Sequence, residues 1–281
     1  MTIISKEIYE LPEEKRFIKI SNVPLDKCTN NGKFGKKCDK VAFVLPTYNE
    51  RENIHLLIPV LEDMMEKNHI DGHIVIVDDN SKDGTAKVAI QFAKAYQNIM
   101  VIERPGKMGL GSAYRLGFKH ALSLEKDVVF MMDADLSHRP SYIPDFLKTM
   151  KKYNSGLVIG SRYVEKGATK GWPMRRKLVS HGANFLGKLI IGSYEVSDMT
   201  SGFRAFKAET LDKINYNQLT SNGYAFIGEL LYKTKAAKYR IKEIPIVFHE
   251  RELGKSKLGI DEVKGFIIFL VRTLLHRLRR F

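Results

Sequence analysis

Cysteine is almost missing from this chain: its 281 residues hold two, Cys28 and Cys38, both near the N-terminus. Two thiols with no histidine beside them make a poor metal site, and a small secreted scaffold would carry more, so we expect a reducing compartment. Long apolar runs are also missing. The nearest, Phe266–Val271, is cut by Arg272, whereas a membrane span needs about 20 apolar residues. The opening stretch MTIISKEIYELPEEKR is charged too early for a secretory leader. We therefore expect a chain that does not cross a membrane by itself. Acid is the scarcer charge, with 32 Asp and Glu against 46 Lys and Arg, a formal net charge of +14. Such an excess points to an anionic partner: nucleic acid, an anionic membrane surface or a phosphorylated substrate. The H-E-x-x-H and G-x-S-x-G signatures are absent. Gly254-Lys255-Ser256 is not a P-loop, because His249 stands where its first glycine belongs.

The composition supports a sizeable core, with 44% hydrophobic residues, and the length suits one large domain or two small ones. Residues 1–39 are polar and rich in Lys, Asn and Gly, and read as a loosely ordered arm. From Val41 onward, short apolar runs alternate with helical patterns. Strands are expected at Val41–Leu45, His73–Val77, Met100–Ile102, Val128–Met132 and Leu157–Ile159. Helices are expected over 51–67, 84–96, 110–123 and 141–153. This alternation implies an α/β fold with a mostly parallel sheet covered by helices on both faces. Beyond residue 171 we expect helices over 175–191 and 224–237, strands near 202–206 and 239–248, and a helix from 260 onward. The expected organisation is an arm over 1–39, a domain over 40–258 and a C-terminal amphipathic basic helix over 259–281.

Ligands of doubly wound sheets bind beyond the carboxyl ends of the strands. Three apolar runs here end in polar or acidic residues: FVLPTYNE (43–50), IVIVDDNSKDGT (74–85) and VFMMDADLSH (129–138). Asp133 and Asp135 are two apart and in extended chain point the same way. Two adjacent carboxylates repel unless a cation lies between them, and oxygen ligands suit Mg²⁺ or Mn²⁺. The plainer reading is a solvated loop whose acids cap the next helix. In the 74–85 stretch Asp79 reads as a ligand contact and Asp83 as a helix cap. Gly106, Gly109 and Gly111 precede a helix, and with Lys107 nearby its N-terminus is a place for phosphate. Arg162, Arg175, Arg176, Lys177 and Ser180 cluster around the start of the 175–191 helix. Arg251 and Lys257 lie in the loop HERELGKSKLG. Convergent arginines suit a phosphate; a solvated basic face is the alternative. In the last helix Val263, Phe266, Ile267, Leu270, Val271, Leu274 and Leu278 keep the i, i+3, i+4 spacing, flanked by Lys264, Arg272, Arg277, Arg279 and Arg280. That helix fits an anionic membrane interface or the domain's own core.

Taken in order, FVLPTYNE, VDDNSKDGT, GLGSA, MDADLSH, GSRY, DMTSGFRAF and GKSKL resemble the family 2 inverting glycosyltransferases of GT-A fold. Within that family they look like the dolichyl-phosphate (polyprenyl-phosphate) mannosyltransferases. The resemblance runs over about residues 41–260. It implies a metal-dependent enzyme that transfers mannose from GDP-mannose to dolichyl or polyprenyl phosphate with inversion, for protein glycosylation or lipid-linked glycans. It implies donor contacts from Pro46, Tyr48, Glu50, Asp79, Lys107 and Asp133. Mg²⁺ or Mn²⁺ would be held by Asp133 and Asp135, with Ser137 reaching it through a water. The acceptor phosphate would meet Arg162, Arg176, Ser180, Arg251 and Lys257. Asp135, Arg162, Arg176 and Arg251 are then the expected catalytic set. A phosphate monoester with a second pKa near ~6 is already anionic at neutral pH, so no base is required. The expected place is the cytoplasmic face of a membrane, as a peripheral protein: endoplasmic reticulum in a eukaryote, plasma membrane in a prokaryote. A small membrane-anchoring subunit is an expected partner, and nucleic acid is not. Two readings remain beside this one: a polyprenyl-phosphate glucosyltransferase using UDP-glucose, and a non-catalytic basic nucleotide- or nucleic-acid-binding protein.

Overall fold

The computed structural model describes residues 8–11, 14–21, 38–250 and 260–278. The chain divides into two compact units, Met1–Ser141 and Tyr142–Phe281.

The first unit holds β1 (Ile8–Leu11), β2 (Glu14–Ser21), β3 (Asp39–Thr47), α1 (Arg51–Lys67), β4 (Ile70–Asp78), α2 (Thr85–Tyr96), β5 (Ile99–Glu103), α3 (Leu110–Ser123) and β6 (Val128–Met131). Its strands lie in the order β1-β2-β5-β4-β3-β6. Strands β5, β4, β3 and β6 are mutually parallel, while β2 runs antiparallel to β5 and β1 antiparallel to β2. This corrects the expectation of a loosely ordered arm: residues 8–11 and 14–21 add two strands to the sheet edge. Their partner in the sheet is β5, some eighty residues further on, so no local pattern announces them.

The parallel strands are apolar throughout, as burial on both faces requires. Val41 to Leu45 and Ile74 to Val77 are fully buried. From β3 the chain steps outward through β4 to β5, and α3 then carries it back to β6 on the other side of β3. The order reverses between β3 and β6, and a crevice opens at such a point. The proline of FVLPTYNE fits this position. Pairing of β3 with β6 ends at Val44–Met131, while pairing with β4 continues to Thr47–Asp78. Pro46 therefore sits in a central strand only past the end of one neighbour, where a missing N–H costs no ladder bond.

Helix α3 lies close against this sheet because residue 117 has no side chain. A Cβ there would stand 2.2 Å from Val44 Cγ1 and 3.3 Å from Val77 Cγ2. Gly117→Ala is expected to lose about 1–3 kcal/mol through overpacking. Urea unfolding measures it, and a stability equal to the parent's would contradict this account of the packing.

The second unit holds α4 (Ile143–Tyr153), β7 (Leu157–Ser161), β8 (Ala168–Lys170), α5 (Met174–Ile191), β9 (Arg204–Lys207), α6 (Ala208–Lys213), α7 (Gly223–Ala236), β10 (Ile241–Pro245), β11 (Val247–His249) and α8 (Ile260–Leu278). Strand β7 is central, antiparallel to β9 and parallel to β10. Strands β8 and β11 make a separate parallel pair. The single strand expected over 239–248 is two: Pro245 ends β10 and β11 turns to pair elsewhere. Helix α8 packs on α7 and α5 through Phe266, Phe269 and Leu270, all buried. Glycines make the seat: a Cβ on Gly228 would meet Phe269 at 2.7 Å, and one on Gly187 would lie 3.8 Å from Phe266. The apolar stripe read from the sequence is thus split. Phe266 and Leu270 face inward, whereas Ile267, Val271, Leu274 and Leu278 are exposed.

Candidate active site

In the first unit three strand ends are woven into one platform. At the end of β4, Asp78 accepts from Thr47 Oγ1 (2.9 Å), the Ser81 hydroxyl (2.6 Å) and the Ser81 N–H (2.9 Å). Asn49 has φ +53°, a left-handed conformation that asparagine tolerates. There its N–H donates to Ser81 Oγ at 2.8 Å and its Oδ1 accepts from Lys82 N at 3.0 Å. Glu50 is buried; its N–H donates to Thr85 Oγ1, and its carboxylate accepts from Asn53 Nδ2 at 2.6 Å. Asp83 does act as a cap, accepting from the first N–H of α1 (Arg51, 3.0 Å) and of α2 (Thr85, 3.0 Å). Burial alone would raise its pKa, but the bonds from Thr85 and Arg51 outweigh it and hold the carboxyl below its usual range. Beside this platform the Lys107 ammonium stands 4.9 Å from the centre of the Tyr48 ring, a cation–π contact.

Asp79 is held rather than loose. Its carboxylate pairs with Arg104 and accepts from Met108 N at 3.2 Å. Arg104 also donates to Ser112 Oγ (2.6 Å) and to the Gly109 carbonyl (3.2 Å). The pair pins the glycine loop to the end of β4. Burial is the largest influence on both groups, lifting the Asp79 carboxyl and lowering the Arg104 guanidinium against the pull of their opposite charges. Arg104 was not singled out in the sequence.

After β6 the carboxylates follow. The Asp133 N–H donates to Nδ1 of the buried His138 at 2.9 Å; its side chain is 40% exposed, with Oδ2 3.9 Å from His138 Nε2. Asp135 is buried and accepts at Oδ1 from both the hydroxyl and the N–H of Ser137. Leu136 between them has φ +63°, a region a branched, bulky residue rarely enters. Among the described residues no group of three or more His, Cys, Asp or Glu forms a ready cage for a metal. Two carboxylates and a hydroxyl make a hard oxygen set that suits an ion completing its shell on a substrate diphosphate. The residues present therefore fit Mg²⁺ or Mn²⁺ held jointly with a ligand.

The second unit holds the basic set. Arg162 is buried and held along one edge: Nε and Nη2 each donate to Asp198 at 2.7 Å, and Nη2 donates to Thr200 at 2.8 Å. Burial opposes the charge on both groups, yet mutual attraction and hydrogen bonding win, raising Arg162 and lowering Asp198. Arg176 pairs with Glu250 at 2.5 Å. The Trp172 ring lies 4.9 Å from the Arg162 guanidinium and 4.1 Å from that of Arg176. Its buried Nε1 has no acceptor among the described residues. Ser180 accepts from the Tyr163 hydroxyl at 2.7 Å. Gly171 has φ +82° and a Cβ there would stand 3.0 Å from Glu250 Cβ, so the close approach of Glu250 needs that glycine. Arg251 and Lys257 lie outside the described residues.

The profile of glycosyl transferase family 2 matches residues 42–214, more than half of the chain. The chain belongs to that family.

This family 2 transferase is 37% identical over 233 residues to the undecaprenyl-phosphate mannosyltransferase of Micrococcus luteus, covering 83% of this chain and 93% of that one. It is also 37% identical to the polyprenol monophosphomannose synthase of Mycolicibacterium smegmatis, over 80% of this chain and 83% of that one. Among solved structures it resembles a Pyrobaculum calidifontis mannosyltransferase in complex with GDP-Man and Mn²⁺ (TM-score 0.56, 18% identity, 86% and 65% covered). Similar too is a Mycobacterium tuberculosis glucosyl-3-phosphoglycerate synthase with Mn²⁺ and UDP (TM-score 0.59, 19% identity, 85% and 80% covered). These likenesses establish the fold, a GT-A-like mostly parallel sheet flanked by helices. All the donor and metal residues expected from the sequence, Pro46 to Ser137, fall in the first unit of the transferase. The described acceptor residues Arg162, Arg176 and Ser180 all fall in the second. Four polar partners and Trp172 escaped the sequence reading: Arg104, His138, Asp198 and Glu250. Asp198, His138 and Glu250 lie within the quoted DMTSGFRAF, MDADLSH and HERELGKSKLG, but nothing local tells which partner each one meets.

Proposed function

We propose that this transferase moves mannose from GDP-mannose to a polyprenyl phosphate, dolichyl phosphate where that lipid is made, and inverts the anomeric centre. The observation that carries the reading is the 37% identity spanning 93% of an undecaprenyl-phosphate mannosyltransferase. The platform of Pro46, Tyr48, Glu50 and Asp79 would take the nucleoside, with Lys107 beside the diphosphate. Asp133 and Asp135 would hold Mg²⁺ or Mn²⁺, with Ser137 reaching it through a water. When bound, the ion neutralises negative charge on the departing diphosphate. Arg176, Ser180, Arg251 and Lys257 would orient the acceptor phosphate in line with the sugar carbon. The phosphate attacks that carbon as its bond to the nucleoside diphosphate breaks; GDP leaves with the electron pair, and no protein base takes a proton. Asp198 occupies the Nε/Nη2 edge of Arg162, so Arg162 would act chiefly by its fixed positive charge. The enzyme would work on the cytoplasmic face of a membrane as a peripheral protein. Among the described residues no helix is long and apolar enough to cross one.

The test is transfer of labelled sugar to polyprenyl phosphate by purified protein, from GDP-mannose and from UDP-glucose in parallel, with and without EDTA. Mannose transfer that EDTA stops is the expected result; transfer from UDP-glucose alone would replace mannose by glucose. Arg176→Ala is expected to raise the acceptor KM about ten- to a hundredfold, in line with loss of one charged hydrogen bond of roughly 1.5–3 kcal/mol. A change confined to the donor KM would remove Arg176 from the acceptor site.

A further inference from the structure

Trp172 is held in a way that core packing alone does not explain. Gly171 before it is left-handed, with φ +82°, and Pro173 after it has its φ locked by the pyrrolidine ring. A residue before proline is kept out of the helical region, so the backbone around the indole has little freedom. The Pro173 carbonyl then opens α5, accepting from Arg176 N at 3.0 Å and Lys177 N at 3.2 Å. The indole and Arg176 are thereby tied together across one helical turn. Trp172 is 7% exposed, and Phe248 meets its ring edge-on at 5.4 Å. Yet its buried Nε1–H has no acceptor among the described residues. A buried donor without a partner costs stability, and a phenylalanine would fill an apolar site without that cost. What phenylalanine would not match is the attraction of an indole face for cations.

We infer that Trp172 is a positioning residue for the acceptor phosphate, the plate on which Arg162 and Arg176 are both carried. The two guanidinium carbons stand 4.9 Å and 4.1 Å from the ring centre. Cations gathered at one ring repel each other, and each has its own carboxylate: Asp198 takes Nε and Nη2 of Arg162, and Glu250 takes Nη1 of Arg176. The two pairs differ in kind. That of Arg162 is buried, whereas the side chains of Arg176 and Glu250 are 17% and 29% exposed. Glu250 engages only Nη1, so among the described residues Nε and Nη2 of Arg176 make no hydrogen bond. The indole bounds this guanidinium on one side and Glu250 ties one end of it, which leaves the other donors for a ligand. A phosphate then meets a cation already held in place, with a second fixed positive charge on the same ring. The inference deepens the proposed function and rests on it, since that reading makes the phosphate the one borne by the lipid acceptor.

Trp172 is the one tryptophan of the chain, so its fluorescence reads this place directly. Citronellyl phosphate, a short water-soluble isoprenoid phosphate, is titrated into the full chain without donor, with citronellol as the uncharged control. A saturating change in emission with the phosphate and none with the alcohol is expected. By calorimetry, Trp172→Leu should bind the phosphate about tenfold more weakly than the parent and Trp172→Phe about threefold more weakly, as cation–π contacts are lost or reduced. In sugar transfer the acceptor KM should rise in the same order while the donor KM stays at the parent's value. Trp172→Phe keeps a ring and removes the unpartnered N–H, so its loss decides the matter if Trp172→Leu does not fold. A merely structural role would lower thermal melting and move both KM values together. The inference is overturned by that result, by emission that the phosphate leaves unchanged, or by Trp172→Phe binding as the parent does; transfer at parental rates would then leave the proposed function standing. Phosphate binding that depends on Trp172 in a protein that transfers no sugar would instead count against the proposed function alone.

Discussion

Asp135→Ala should lower sugar transfer about a thousandfold, because an ion that stabilises departing charge contributes several kcal/mol at the transition state. Asp135 is buried, fixed by Ser137, and lies in the short loop after β6. It is the more deeply buried of the two carboxylates after β6. The same variant should lose Mn²⁺ binding in the presence of GDP, measured by calorimetry, with its melting temperature little changed. Near-parental, metal-dependent transfer by this variant would refute the metal assignment.

Asp198→Asn should destabilise the protein by about 3–5 kcal/mol, the usual consequence of leaving one member of a buried ion pair alone. Asp198 is fully buried and takes three donors from Arg162, including its N–H at 2.9 Å. The pairing holds the folded carboxyl below its ordinary value of 3.8. A depressed acid contributes stability above the unfolded value and loses it as pH falls through the folded one. The parent should therefore weaken progressively below about pH 4, and the Asn variant should show less of that slope. Arg162 is shifted upward, so it stays charged throughout and adds no slope near neutrality. Replacing both residues by apolar ones should cost less than replacing Asp198 alone. Unfolding by urea at several pH values measures all of this; a loss under 1 kcal/mol for Asp198→Asn would show the pair to be unimportant for stability.

How much the sequence disclosed depends on how local each cause is. Helices 51–67 and 110–123 match their expected bounds, because apolar spacing and terminal residues lie within each segment. Strands β1 and β2 did not show, because their place depends on pairing with β5. The acids at the strand ends were legible, since an apolar run that stops at a carboxylate is a local signal. Their partners were not: Arg104 reaches Asp79 across 25 residues, Arg162 reaches Asp198 across 36 and Arg176 reaches Glu250 across 74. Helix α8 shows a different limit. Its spacing revealed an apolar stripe flanked by cations, but only packing tells that Phe266 and Leu270 face in while Ile267 and Val271 do not.

Leu136 marks a compromise in the loop that follows the two carboxylates, between Asp135 and Ser137. At φ +63° a side chain of this size holds a conformation worth roughly 1–3 kcal/mol of strain. Glycine would adopt the turn without strain, but it would also free Ser137 to leave Asp135. The leucine trades durability for aim: the protein is less robust than its core would allow, and in return the buried carboxylate stands already clasped by the hydroxyl and N–H two residues on.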